Sequence, residues 1–248
     1  MTITLATPWL TSFKQNPHAR VRLFCFPYAG GGAHIYREWL DSLPVSIEVC
    51  PIQLPGRGAR MMEEPFTQMS SLVQAISEAL LPYLDKPFAC FGHSMGALVG
   101  FEFARRLRSQ NGPKPIHLFV SGCFAPDIPD SDPLHNLPDS ELLAELHRLN
   151  GMPKEAQENA ELMRLMLPTL RADCTVTETY THTKEPPLDC PISAFGGLQD
   201  QMVSRDDLEA WRKHTTASFS LRMFPGDHFF LQTAAQALLL RVLSRELS

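Results

Sequence analysis

The sequence contains no run of about 18 apolar residues, the length a membrane-crossing helix needs, and residues 1–15 lack a basic start followed by an apolar stretch. No membrane partner is expected, and the chain is expected to be cytoplasmic. Nor is there a sustained basic run. A net charge of −5 at pH 7 speaks further against a nucleic-acid partner. The six cysteines include no Cys-x-x-Cys and no Cys/His cluster at metal-ligand spacing, so no metal site is expected. Cys25, Cys50 and Cys90 instead fall in or beside strand-like apolar runs, the usual place of a reduced core cysteine. Internal repeats and low-complexity linkers are missing too. What remains is a chain of 248 residues, 44% hydrophobic and 20% charged, long enough to bury a large core as one α/β domain with an insertion.

The stretch Phe88–Val99 organises the rest. A short apolar run after Pro87 has the size of a buried strand, and from Leu98 to Leu107 apolar residues recur at helical spacing. Between them lies Gly92-His93-Ser94-Met95-Gly96. A serine on a sharp strand-to-helix turn is pushed clear of the sheet, and small residues two positions either side let the chain fold back. The N–H of Met95, at the start of the helix, is then free to stabilise an oxyanion.

Strands are expected at Val21–Phe26, Ile47–Cys50, His117–Ser121, Cys190–Phe195 and Ser218–Phe224, with helices from His34 to Leu43, Met69 to Leu84, 205 to 214, and after Phe230 to Leu247. Pro27-Tyr28-Ala29-Gly30-Gly31-Gly32 follows the first strand. It ends in no Gly-Lys-Ser/Thr and lacks Gly-x-Gly-x-x-Gly spacing with a downstream acid, which argues against a phosphate or dinucleotide loop. In an α/β-hydrolase this loop supplies the second oxyanion N–H, placed here at Ala29 with Tyr28 as the neighbouring alternative. Residues 134–185 break the strand–helix alternation. Asp139 is suited to cap a helix reaching Leu149, and a second helical run from Ala160 to Leu170 carries Pro168, expected to kink or divide it. Helices inserted here read as a lid, whose methionines would suit varied acyl chains.

Ser94, Asp200 and His228 each follow a strand, in the order Ser…Asp…His used by α/β-hydrolases. A serine hydroxyl needs a base, an imidazole can take and return its proton, and a carboxylate can orient the imidazole. Among nine histidines His228 has the loop position, whereas His93 is expected to point away from Ser94. Asp127, after the strand that follows the nucleophile helix, competes with Asp200 for the acid role. Asp227 reads as structural.

With Phe26–Gly31, Gln53-Leu54-Pro55-Gly56-Arg57-Gly58, Gly92–Ala97, Gly196–Asp200 and Gly226–Phe230 taken together, nearly the whole sequence resembles the type II thioesterases, stand-alone editing hydrolases of polyketide synthases and nonribosomal peptide synthetases. The resemblance implies an α/β-hydrolase fold with a mostly parallel sheet and no cofactor of its own. It also implies hydrolysis of aberrant or stalled acyl groups from the phosphopantetheine arm of acyl or peptidyl carrier proteins. In those terms Ser94 is the nucleophile, His228 the base, Asp200 the orienting acid, and Ala29 and Met95 the oxyanion donors. A general esterase or lipase, or a non-catalytic binding protein on the same fold, remains open. A release enzyme fused to a synthase is not expected, since the sequence starts and ends near the domain limits. An acidic carrier would need a local basic patch, for which Arg57, Arg60, Arg105 and Arg106 are candidates.

Overall fold

Six strands, β1 (Val21–Phe26), β2 (Ile47–Pro51), β3 (Phe88–His93), β4 (His117–Ser121), β5 (Ile192–Gly197) and β6 (Phe219–Phe224), pair in the order β2-β1-β3-β4-β5-β6. Every pairing is parallel. The structure, a computed structural model, describes residues 7–11, 15–129, 133–148 and 159–248. The chain runs outward from β1 to β2 and then crosses to β3 on the other side of β1. This reversal opens a crevice at the carboxyl ends of β1 and β3, where a doubly wound sheet binds its ligand. The register pairs Phe26 with Gly92, so the Pro27 loop and Ser94 emerge side by side.

The strands read as continuous apolar runs because both faces of the sheet are covered. Phe24, Phe26, Phe88 and Cys90 face one layer, packed by α2 (Met69–Leu80) and α3 (Met95–Ser109). Leu23, Cys25, Ala89 and Phe91 face the other, packed by α1 (Trp39–Ser42) and α7 (Gln236–Glu246). Burying each such Leu or Phe side chain is worth about 1.5–3 kcal/mol, which holds the loops at the sheet's edge on a rigid base. All six cysteines are buried and none forms a disulfide. Burial raises the thiols of Cys25, Cys50 and Cys90 well above the ordinary value.

Several boundaries differ from the sequence expectation. The helix expected from His34 is two pieces, a 3-10 turn at Ala33–Tyr36 and α1, and α1 stops where Leu43 takes an extended conformation before Pro44. Gly196 and Gly197, read as loop, belong to β5 and pair with Met223 and Phe224. Residues 205–214 form α6 (Arg205–Glu209), opened by a Ser204–Asp207 capping box, and then a 3-10 turn.

Between β4 and β5 run α4 (Asp139–Arg148) and α5 (Ala160–Glu178). Asp139 is not the cap expected of it. The N–H groups of Glu141 and Leu142 reach the Pro138 carbonyl, and the Asp139 carboxylate bonds Arg171 at 2.7 Å. Leu149, the expected end of that helix, lies outside the described residues. α5 continues through Pro168 undivided, capped by the Asn159 side chain, which accepts from the N–H groups of Glu161 and Leu162. Packing on either side of the proline, Met163 and Leu170 against Leu142 and Leu146, compensates the lost backbone bond. Among the described residues no helix is long and apolar enough to cross a membrane.

Candidate active site

Ser94 lies between β3 and α3 with φ 53° and ψ −124°, a conformation that a residue with a side chain adopts only under constraint. The constraint is local crowding. A Cβ at Gly92 would stand 2.0 Å from the Gly96 carbonyl oxygen, and one at Gly96 would stand 2.1 Å from that of Phe26. The Ser94 N–H donates to the Ser121 carbonyl at 2.8 Å, which pins the turn to β4. Met95 opens α3, so its N–H precedes any intrahelical acceptor. Among the described residues no backbone acceptor takes the N–H of Met95 or of Ala29.

The other two side chains arrive on stitched loops. After β5 and β6, Leu198 N–H donates to Phe224 O at 2.8 Å and Gln199 N–H to Gly226 O at 2.9 Å. The Gln199 side-chain oxygen takes the Gly226 N–H at 2.6 Å in return. Asp200 Oδ1 accepts from the N–H groups of Met202 and Val203 at 2.8 and 3.2 Å, which leaves Oδ2 to meet His228 Nδ1 at 2.8 Å. Both side chains are buried, at 0% and 5% exposure. A carboxylate fixed in this way selects the His228 tautomer with a proton on Nδ1, so Nε2 is the nitrogen available as a base. Ser94, His228, Ala29, Met95 and Tyr28 border one cavity of about 990 Å³, whose other walls come from α4, α5, the loop after β4 and residues 201–207.

The rivals go elsewhere. Asp127 meets His214 Nε2 at 2.9 Å and also pairs with Lys213. Burial would raise its carboxyl, but these bonds outweigh it and hold the group below the usual range. Asp227 accepts the Phe229 N–H at 2.9 Å within its own turn. His93 belongs to the wall behind the base. Its ring packs 5.0 Å from that of His228, with Nδ1 2.9 Å from Ser121 Oγ. Full burial, with the nearby His228 as a second cause, pushes the His93 imidazole well below its ordinary value and keeps it uncharged.

Gly122 was not singled out by the sequence. It has φ +54°, and a Cβ there would stand 2.6 Å from His93 Cε1 and 3.2 Å from His228 Cε1. The only sequence signal was a glycine directly after β4. The arginine patch is corrected as well. Arg57 is buried against Asp173, Arg60 bonds Glu63 and the Gln53 carbonyl, and Arg105 is held by Glu102 and Glu185. None of these three is free to meet a partner's charge.

A parallel α/β sheet that carries a serine on a strained elbow, and a carboxylate–imidazole pair on later strand ends, is the arrangement of a hydrolase. The chain belongs to the thioesterase domain family, which matches residues 21–246, and is a thioester hydrolase. It is 53% identical over 235 residues to linear gramicidin dehydrogenase LgrE of Brevibacillus parabrevis, covering 93% of this chain and 89% of that one. It is 47% identical to gramicidin S biosynthesis protein GrsT of Aneurinibacillus migulanus, over 92% of this chain and 90% of that one. Among solved structures, RedJ, a thioesterase from the prodiginine biosynthetic pathway in Streptomyces coelicolor, superposes with a TM-score of 0.90 at 40% identity, over 98% of this chain and 96% of that one.

Proposed function

We propose that this protein is an editing thioesterase that removes aberrant or stalled acyl groups from the phosphopantetheine arm of acyl or peptidyl carrier proteins. Its relatives in gramicidin S and prodiginine biosynthesis support the pathway class. The observation that carries the mechanism is Ser94 on its strained elbow, bordering the same cavity as a His228 that Asp200 orients. Ser94 Oγ attacks the thioester carbonyl while His228 Nε2 takes its proton, and the oxyanion is received by the N–H groups of Ala29 and Met95. The carbon–sulfur bond breaks and the thiolate leaves, taking the proton that His228 holds. A water deprotonated by His228 then attacks the acyl-serine, releasing the acid and restoring Ser94. The thiolate needs little protonation to depart, so the oxyanion donors bear much of the catalysis. The reaction as written uses no metal and no cofactor beyond the arm of the substrate.

In this reading the helices between β4 and β5, within residues 134–185, form the lid and the wall of the acyl site. The test is release of free acid from acyl-phosphopantetheinyl carrier protein beside a matching p-nitrophenyl ester, with Ser94→Ala as control. Faster turnover of the carrier thioester, lost in the control, is the expected result. A strong preference for the simple ester would return the protein to general esterases, and turnover unaffected by Ser94→Ala would end the serine mechanism.

A further inference from the structure

The loop that carries the Ala29 N–H is a turn whose conformation is set by a buried ion pair from outside it. Residues Tyr28–Gly31 close a four-residue turn in which Gly31 N–H donates to Tyr28 O at 2.9 Å, and Gly30, at the third position, has φ +77°. Those are the marks of a type II turn. The Tyr28 carbonyl and the Ala29 N–H share one planar trans peptide, so holding the carbonyl aims the N–H the opposite way. The next peptide, between Ala29 and Gly30, distinguishes type II from type I by a flip. Its N–H donates to Asp173 Oδ2 at 2.7 Å.

Asp173 lies on α5 and is buried at 2% exposure. Its carboxylate also takes both forks of Arg57, Nη1 at 2.6 Å and Nη2 at 2.8 Å. Arg57 comes from the loop after β2. It also donates to the Gly31 carbonyl at 3.1 Å and the Pro55 carbonyl at 3.1 Å. One turn earlier on α5, Thr169 Oγ1 donates to the Gly56 carbonyl at 2.7 Å. A buried ion pair contributes little net stability, because desolvation offsets its attraction, but a bidentate one imposes strict geometry. This pair fixes both Gly30 and Gly31. The adjacent face of the same helix, Cys174 and Thr177, borders the cavity beside Ser94.

We propose that Asp173 and Arg57 are positioning residues that hold the Tyr28–Gly31 turn in its type II form and thereby couple the docking of α5 to the aim of the Ala29 N–H. The proposal rests on the reading of Ala29 as an oxyanion donor. Loosening α5 from the ion pair releases the Gly30 N–H and the Gly31 carbonyl, slackens the turn in which Gly31 N–H holds the Tyr28 carbonyl, and so lets the Tyr28–Ala29 peptide and its N–H drift from the oxyanion, while substrate binding along the cavity persists.

The experiment compares wild type, Asp173→Asn, Arg57→Lys and Ser94→Ala on acetyl and octanoyl N-acetylcysteamine thioesters, with thermal midpoints for each. Asn keeps one acceptor but loses the charge, and Lys keeps the charge but loses the fork. The expected result for Asp173→Asn is a fall in kcat of about a hundredfold on both substrates, as for loss of an oxyanion donor, with KM changed by less than about threefold. Affinity for a trifluoromethyl ketone, which occupies the oxyanion site as a tetrahedral adduct, should fall in parallel with kcat/KM. Arg57→Lys should show the same pattern to a smaller degree, and it carries the test if Asp173→Asn does not fold. A lowered thermal midpoint with kcat and ketone affinity intact would reduce the pair to a structural tie and overturn the proposal. An inactive Ser94→Ala beside a fully active Asp173→Asn would sink the coupling alone. An active Ser94→Ala would remove the serine reading and the coupling with it.

Discussion

At the scale of single residues, the chemistry sorts two aspartates by what each touches. Asp200 is spent on His228 Nδ1 and two backbone N–H groups, whereas Asp127 is spent on His214 and Lys213. Asp200→Asn should therefore lower kcat by about 10⁴-fold, since an amide no longer selects the tautomer of the base. Asp127→Asn should leave kcat within a few-fold of wild type, and steady-state rates for the two variants on one thioester decide it. The reverse result would transfer the acid role. Gly122→Ala should cost about 2 kcal/mol of stability through its positive φ, and lower activity as well, because the added methyl group meets His93 and displaces His228. A denaturation midpoint and a rate measured on the same preparation would check both. That Asp200 and His228 would meet was legible because the hydrolase fold sets the order of these residue types along the chain. Gly122 and His93 were not, since their importance comes from rings brought together across three loops, a proximity no local spacing encodes. The arginines failed for the same reason: a charged side chain in a turn-rich loop gives no local sign of the acid it will be buried against.

At the scale of elements, the parallel strands were the most legible feature, since burial on both faces writes an uninterrupted apolar run into the sequence. Val21–Phe26 and His117–Ser121 were delimited to the residue. Ends set by pairing partners were harder. Gly196 and Gly197 look like loop residues and are strand only because Met223 and Phe224 lie opposite them. α5 shows the opposite case, in which tertiary packing overrides a proline's local veto. If the helix is held regular from outside, Pro168→Ala should restore a backbone hydrogen bond and raise the thermal midpoint. A midpoint that falls would mean that α5 depends on the proline's rigidity rather than tolerating it.

At the scale of the whole molecule, several histidines share one electrostatic fate. Burial lowers His93 well below 6.5 and His117 to about 4, the latter against the pull of Glu246. Burial also lowers His182 and His214. In the unfolded chain these groups take up protons as pH falls through the usual histidine value of 6.5, while the folded chain resists. Their stabilising effect is complete above that value and is lost as pH falls through it toward 4. Thermal midpoints should therefore decline between pH 7 and 5, before most carboxylates titrate, and His117→Asn should make the decline shallower. A flat profile over that interval would contradict the burial assigned to these rings.

The sheet order carries a consequence for how the protein comes into being. β6 is an edge strand and the last of the six described strands in chain order, and His228 follows it, whereas Ser94 follows the third strand and leaves the ribosome long before. A nascent chain thus carries the serine proposed as nucleophile for most of translation without the imidazole proposed to activate it. Acyl groups in the cell are beyond its reach until the final edge has zipped onto the sheet. Acquisition of hydrolysis would then be a timer for the completion of folding, started by the last strand rather than by the serine.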